Sequence, residues 1–307
     1  CSHTVPRETL PVDVPPRAEL VDTPFYAQER YQCGPASLAM VLGQRGLAVT
    51  PDELVSKVYL PQREGSVAPE MVATARSYGM VVYELPPSLD ALLREVAAGN
   101  PVLVLQNLGL SWLPKWHYAV VVGYDMEAQQ ITLRSGVTER HQVSLGLFDR
   151  TWRRGKRWGV TLLTPGALPA SGSSVAYLKA AYGLEQTQQF EAALIAYRSA
   201  TGRWPERELA WMAQANLAYR LERFDEAAQT LQAALEHHPR SAALWNNLAY
   251  ALAARGCGGA AREAVACAIA LQPAESGFRQ SREEIAQMAN TPEASICQPI
   301  SCPVVAE

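Results

Sequence analysis

Long apolar runs are missing from this chain. Nowhere do its 307 residues reach the roughly 18 consecutive apolar positions that a membrane-spanning helix requires. An excess of one charge is missing too. Lys and Arg number 27 against 30 Asp and Glu, a formal net charge of −3. That near-neutrality implies no polyanionic partner, so nucleic acid is not expected. Histidine is scarce, at five residues, and cysteine is limited to six. Four of those cysteines lie near the C-terminus with no histidine among them, and their spacing matches no compact ligand set. No metal and no other cofactor is expected. What the chain does have is 48% hydrophobic residues and enough length for two domains with real cores.

The stretch that organises the rest is Gln28-Glu29-Arg30-Tyr31-Gln32-Cys33-Gly34-Pro35-Ala36-Ser37-Leu38-Ala39-Met40-Val41-Leu42. A polar approach runs into one cysteine, and an apolar run at helical spacing follows. Proline is tolerated in the first turn of a helix, and Leu38, Val41 and Leu42 share a face. Cys33 therefore stands at a helix N-terminus. The free N–H groups there favour an anion, so a thiol in that place is expected to have a lowered pKa and to act as a nucleophile.

A nucleophilic cysteine needs a base. His3 lies in the N-terminal tail, and His237 and His238 lie in a helical region, which leaves His117 and His141. His117 opens the β-branched run Trp116-His117-Tyr118-Ala119-Val120-Val121-Val122-Gly123-Tyr124, which reads as a buried strand. A rigid strand places a side chain better than the polar segment around His141, so His117 is preferred.

Cys33-Gly34-Pro35-Ala36 preceded by Gln28, together with His117-Tyr118-Ala119-Val120-Val121-Val122-Gly123-Tyr124-Asp125, resembles the bacteriocin-processing (double-glycine leader) cysteine peptidase family. The resemblance covers about residues 20 to 165. It implies a papain-like α+β fold, with Cys33 as nucleophile, His117 as general base and acid, and Gln28 as an oxyanion-hole donor. A side-chain amide and a backbone N–H at the helix start can stabilise a tetrahedral oxyanion. The family carries an Asp at the end of the following strand. Here that strand, Gln130-Ile131-Thr132-Leu133, runs into Arg134-Ser135-Gly136. Ser135 is the candidate for the third position, and Asp125, in the turn after the His117 strand, is too distant. Trp112 and Trp116 are candidates for the substrate groove, with core packing as the plainer reading.

Between these motifs, helices start at Thr50-Pro51 and Ala68-Pro69, and Ser88 caps a third that Gly99 closes. Val81–Leu85, Pro101–Gln106 and Gly159–Leu163 read as strands. Residues 21–165 form the peptidase-like domain, 166–173 a Pro-, Gly- and Ser-rich linker.

Beyond the linker the chain repeats every 34 residues. Pro205, Pro239 and Pro273 keep that spacing, as do Tyr177, Trp211 and Trp245, and Ala181, Ala215 and Ala249. An early aromatic, alanine where helices touch, and a closing proline at this period are the tetratricopeptide pattern, an all-α domain over residues 174–273. Such stacks commonly bind extended peptides, so a protein partner is expected there. Residues 274–307 supply a capping helix and a tail. Cys257, Cys267, Cys297 and Cys302 could form two disulfides, with three pairings open; joining each repeat cysteine to a tail cysteine avoids a strained 257–267 bond.

The first residue is Cys1, followed by Ser2 and a proline-bearing segment to residue 20. This is similar to a mature bacterial lipoprotein: lipid on Cys1, residues 1–20 as tether, and a place on the periplasmic face of the outer membrane with the anchor as the membrane contact. Together these features predict an envelope cysteine peptidase acting on peptide or protein substrates, or, alternatively, a degenerate peptidase-like scaffold.

Overall fold

The computed structural model describes residues 4–28, 33–60, 62, 65–288 and 297–303. Cys1, the expected lipid site, lies outside the described residues, as do residues 29–32 of the approach to Cys33.

The apolar run after Cys33 becomes α1 (Cys33–Gly43), and every residue from Gly34 to Leu42 is buried. The expected single apolar face is therefore an understatement. The helix packs on a sheet on one side and on α2 (Pro51–Val58) and α3 (Ala68–Ser77) on others, so no side of it meets water. A short hairpin of β2 (Tyr59–Leu60) and β3 (Gly65–Ser66) lies between α2 and α3. It follows β1 (Arg17–Glu19) in strand order.

The remaining strands are β4 (Val81–Glu84), β5 (Val102–Asn107), β6 (Trp116–Asp125), β7 (Gln130–Ser135), β8 (Thr138–Ser144) and β9 (Gly159–Leu163). They form an antiparallel sheet in the order β4-β9-β5-β6-β7-β8, with β1 also paired to β6. Tyr118, Val120 and Val122 of β6 join Leu103, Val160 and Leu162 in one core with α1. Helices α4 (Leu89–Ala97) and α5 (Leu145–Arg154) pack on the sheet as well, with Leu92, Leu93, Phe148 and Trp152 fully buried. Ser88 caps α4 by accepting the Ala91 N–H at 3.1 Å.

Two compact units divide the chain, Cys1–Ala196 and Tyr197–Glu307. The first unit thus includes α6 (Ser174–Gln186), the helix carrying the first repeat's Tyr177, and α6 packs on β4. Residues 166–173, read from composition as a linker, are bonded into this unit. Ser171 donates from its N–H and its hydroxyl to Glu95 Oε1 at 2.8 and 2.7 Å. Glu95 is fully buried, and its other oxygen accepts from Asn100 Nδ2 at 2.8 Å. Asn100 in turn accepts from Arg45 Nη2 at 2.7 Å.

The second unit begins within α7 (Phe190–Arg203) and holds α8 (Glu208–Arg220), α9 (Phe224–His237), α10 (Ala242–Ala254), α11 (Gly258–Leu271) and α12 (Ser276–Met288). The 34-residue period has a structural cause. Trp211 Nε1 donates to Pro205 O and Trp245 Nε1 to Pro239 O, each at 2.9 Å. One period later Arg279 donates to Pro273 O at 2.7 Å, so a guanidinium replaces the indole. Cys257 bonds Cys297, and Cys267 bonds Cys302, which ties the tail to the N-cap and to the third turn of the last repeat helix, α11.

Candidate active site

Cys33 is the first residue of α1, half-buried and not disulfide-bonded. The backbone N–H groups of Tyr118 and Gly34 act on its thiol in the direction that favours the thiolate. Cys33 therefore lies near the His117–Tyr118 peptide at the start of β6, and fold topology brings the two motifs together. His117 Nε2 and Ser135 Oγ are 2.8 Å apart. Ser135 ends β7, just past a register shift between Leu133 and Ser135 in the β7–β8 pairing. Such irregularities re-aim side chains, and this one sits where the imidazole needs a partner.

The other sequence candidates fall elsewhere. Asp125 accepts the N–H groups of Glu127 and Ala128 and shapes the β6–β7 turn. It lies eight residues along β6 from His117, about 26 Å at strand rise. His141 is exposed on β8 and acts on His117 only through its charge.

Gln28 is buried and connects three parts of the site. Its Nε2 donates to Ser37 Oγ on α1 at 3.0 Å and to the Tyr118 carbonyl on β6 at 3.4 Å. Its Oε1 accepts the Gly136 N–H, and its own N–H donates to the Gly136 carbonyl, both at 2.9 Å. Both amide hydrogens are thus directed at protein acceptors. The 3.4 Å contact to the Tyr118 carbonyl is the weaker of the two. Arg134 was not anticipated. It is buried, with Nη2 donating to the carbonyls of Val21 and Thr23 and Nη1 to that of Glu139, and so holds the segment before Gln28 against β7. An arginine beside a strand end carries no sequence signal that it points inward.

Electrostatics overturn one expectation. Burial pushes the Cys33 thiol above its ordinary pKa, and the N–H groups of Tyr118, Gly34 and Cys33 oppose this without prevailing. Desolvation outweighs the helix terminus. His117 is held down at about 4, by burial first and then by the charges of Lys115 and His141. Both shifts favour the neutral forms, thiol and imidazole. Burial also raises the Tyr118 hydroxyl, helped by Cys33 and Glu70. Ser66 lies directly against Gly34, where an added Cβ would stand 2.3 Å from Ser66 Oγ. Among the described residues, no group of His, Cys, Asp and Glu is arranged to hold a metal ion.

The model of the Peptidase_C39 like family matches residues 20–157, and that of the tetratricopeptide repeat matches 178–235 and 212–276. The chain carries a C39-like peptidase domain followed by tetratricopeptide repeats. A solved structure described as a C39-like peptidase from Bacillus anthracis aligns at 17% identity. It covers 48% of this chain and 97% of its own, with a TM-score of 0.41. A comparison with curated proteins found no match. The C39-like match spans Gln28, Cys33, His117 and Ser135 together.

Proposed function

We propose that the C39-like domain hydrolyses peptide bonds through a Cys33 acyl-enzyme. The observation that carries this reading is the 2.8 Å contact of His117 Nε2 with Ser135, at a strand start whose next backbone N–H acts on the Cys33 thiol. With Nε2 engaged, Nδ1 takes the thiol proton as Sγ attacks the substrate carbonyl. Backbone N–H groups at the start of α1, joined by Gln28 Nε2, stabilise the oxyanion. The imidazolium then protonates the leaving amine, and water, deprotonated by His117, hydrolyses the thioester. The proton moves during attack, because both shifts favour the neutral forms before it.

The repeats recruit the protein substrate or a partner. The two disulfides support an oxidising compartment. A second reading, a protein-binding scaffold without catalysis, is favoured by the hydroxyl where a carboxylate would better stabilise an imidazolium.

Hydrolysis of a fluorogenic peptide library by the full chain distinguishes them. Peptidase activity predicts turnover that Cys33→Ala abolishes and His117→Ala lowers by roughly 10²- to 10⁴-fold. Absence of turnover, with equal Cys33 alkylation rates in the parent and His117→Ala proteins, establishes the scaffold.

A further inference from the structure

The connection between β5 and β6 is built from residues that usually avoid water. Leu108, Leu110, Trp112, Leu113 and Trp116 are all exposed, between 45% and 78%, with Trp112 the most. This loop is nonetheless firmly folded. Leu108 N–H donates to Lys115 O at 2.9 Å, and Leu110 and Leu113 exchange backbone hydrogen bonds at 3.1 and 3.2 Å. Asn107 Oδ1 accepts the N–H groups of Gly109 and Lys115, each at 2.9 Å. A Cβ at Gly109 would stand 2.4 Å from the Leu113 carbonyl, so the loop requires glycine there. The backbone is satisfied internally while the apolar side chains project outward.

Cations surround the base. Lys115 belongs to the loop, and Arg154 Nε donates to the Asn107 carbonyl at 3.1 Å. Gly155 presses on the Leu105 carbonyl, which brings Lys156 to the same end of β5. Asp149 pairs with Arg153 and Arg157, whereas Lys115, Arg154 and Lys156 have no ion pair among the described residues.

We propose that this loop is a docking tip for an anionic lipid bilayer. Its leucines and tryptophans enter the headgroup–acyl boundary, and Lys115, Arg154 and Lys156 meet the lipid phosphates. Tryptophan favours that boundary, and basic residues behind an apolar apex add attraction to anionic lipid. An apolar peptide would need walls around its side chains, and a Trp112 exposed at 78% has little protein beside it to supply them. The contact is independent of any lipid attached to the chain and of catalysis. Since His117 directly follows Trp116, docking brings the site to the membrane surface.

The test uses the full chain with Cys1→Ser, which cannot be acylated there, and vesicles of phosphatidylglycerol with phosphatidylethanolamine or of phosphatidylcholine alone. Co-sedimentation and a blue shift of tryptophan emission are expected with the anionic vesicles, weakening with salt. Trp112→Ser with Leu113→Ser should lower partitioning by roughly tenfold or more. Lys115→Glu with Lys156→Glu should weaken binding to anionic vesicles alone. Thermal unfolding of both variants at the parent temperature confirms their folding. No vesicle binding, or binding indifferent to these substitutions, overturns the proposal. So does a loop-dependent dimer without vesicles, which assigns the tip to a second copy, or an emission shift with an acidic leucine-rich peptide but no vesicle, which assigns it to a peptide.

Discussion

His117 is held by one neighbour and discouraged from charging by several. Its contact with Ser135 fixes the ring, while burial, Lys115 and His141 keep its pKa at about 4 against an ordinary 6.5. Between those values the unfolded chain binds a proton that the folded chain does not. Stability therefore falls as pH drops from 6.5 to 4 and levels below it, a loss of up to about 3 kcal/mol. Denaturant unfolding across that window should show the loss, and His117→Gln should flatten it; parallel profiles would mean that other groups carry the acid sensitivity. For Cys33 the direction is reversed. Burial raises the thiol, so alkylation of the native protein should keep accelerating as pH rises past the ordinary thiol range. A rate plateau already present at pH 6 would instead report a thiolate–imidazolium pair. Placing a carboxylate at the third position, Ser135→Asp, should raise the His117 pKa from about 4, which imidazole NMR titration reads directly. Residue type and context singled out Cys33 and His117, and the family resemblance pointed to Ser135; the structure sets Ser135 against His117, while the catalytic roles rest on the proposal. Sequence was blind to desolvation, which depends on everything packed around the pair, and to Arg134, whose partners are carbonyls remote in sequence.

At the scale of elements, periodic and capped segments were legible and exposed ones were not. The repeat helices follow from a 34-residue register, and α4 from its Ser88 cap. Strand β8 was read only as a polar segment. It is an edge strand exposed at nearly every position, so it lacks the alternation that marks a half-buried strand. The hairpin β2–β3 is equally silent in sequence, yet it shapes the entrance of α1. Replacing glycine by alanine in a helix ordinarily stabilises by roughly 1 kcal/mol. At Gly34 the sign should invert, since the new Cβ would meet Ser66 Oγ at 2.3 Å and Ser66 Cβ at 2.4 Å. Denaturant midpoints for Gly34→Ala, and for the same change combined with Ser66→Gly, check this: the second should recover most of the loss. The disulfides hold α11 at its N-cap and at its third turn. Reducing them should cost roughly 2–5 kcal/mol and loosen the second unit first, visible as early hydrogen exchange in α11 and α12. Uniform exchange across both units would contradict it.

For the molecule as a whole, composition and contacts place the division differently. Proline, glycine and serine mark residues 166–173, whereas the first compact unit runs to Ala196. A fragment ending at residue 170 removes Ser171 and leaves the buried Glu95 without two of its donors. A buried carboxyl oxygen left without its donors is destabilising, even though Asn100 still serves the other oxygen. A fragment ending at residue 189, which retains α6, should therefore unfold at distinctly higher denaturant than one ending at 170; equal midpoints would show that water replaces Ser171 without loss.

The Glu95–Ser171 contact also bears on how such a chain can be assembled by recombination. A gene fusion that brought a foreign repeat array in at the start of the linker would deliver a first helix and lead-in with no hydroxyl for Glu95. Such a fusion should express poorly until a second change supplied a donor or removed the carboxylate. Fusions made after α6 escape that requirement. Exchange of repeat arrays among relatives should accordingly cluster beyond residue 186, leaving the first helix of the array inherited with the peptidase-like domain rather than with the repeats it resembles.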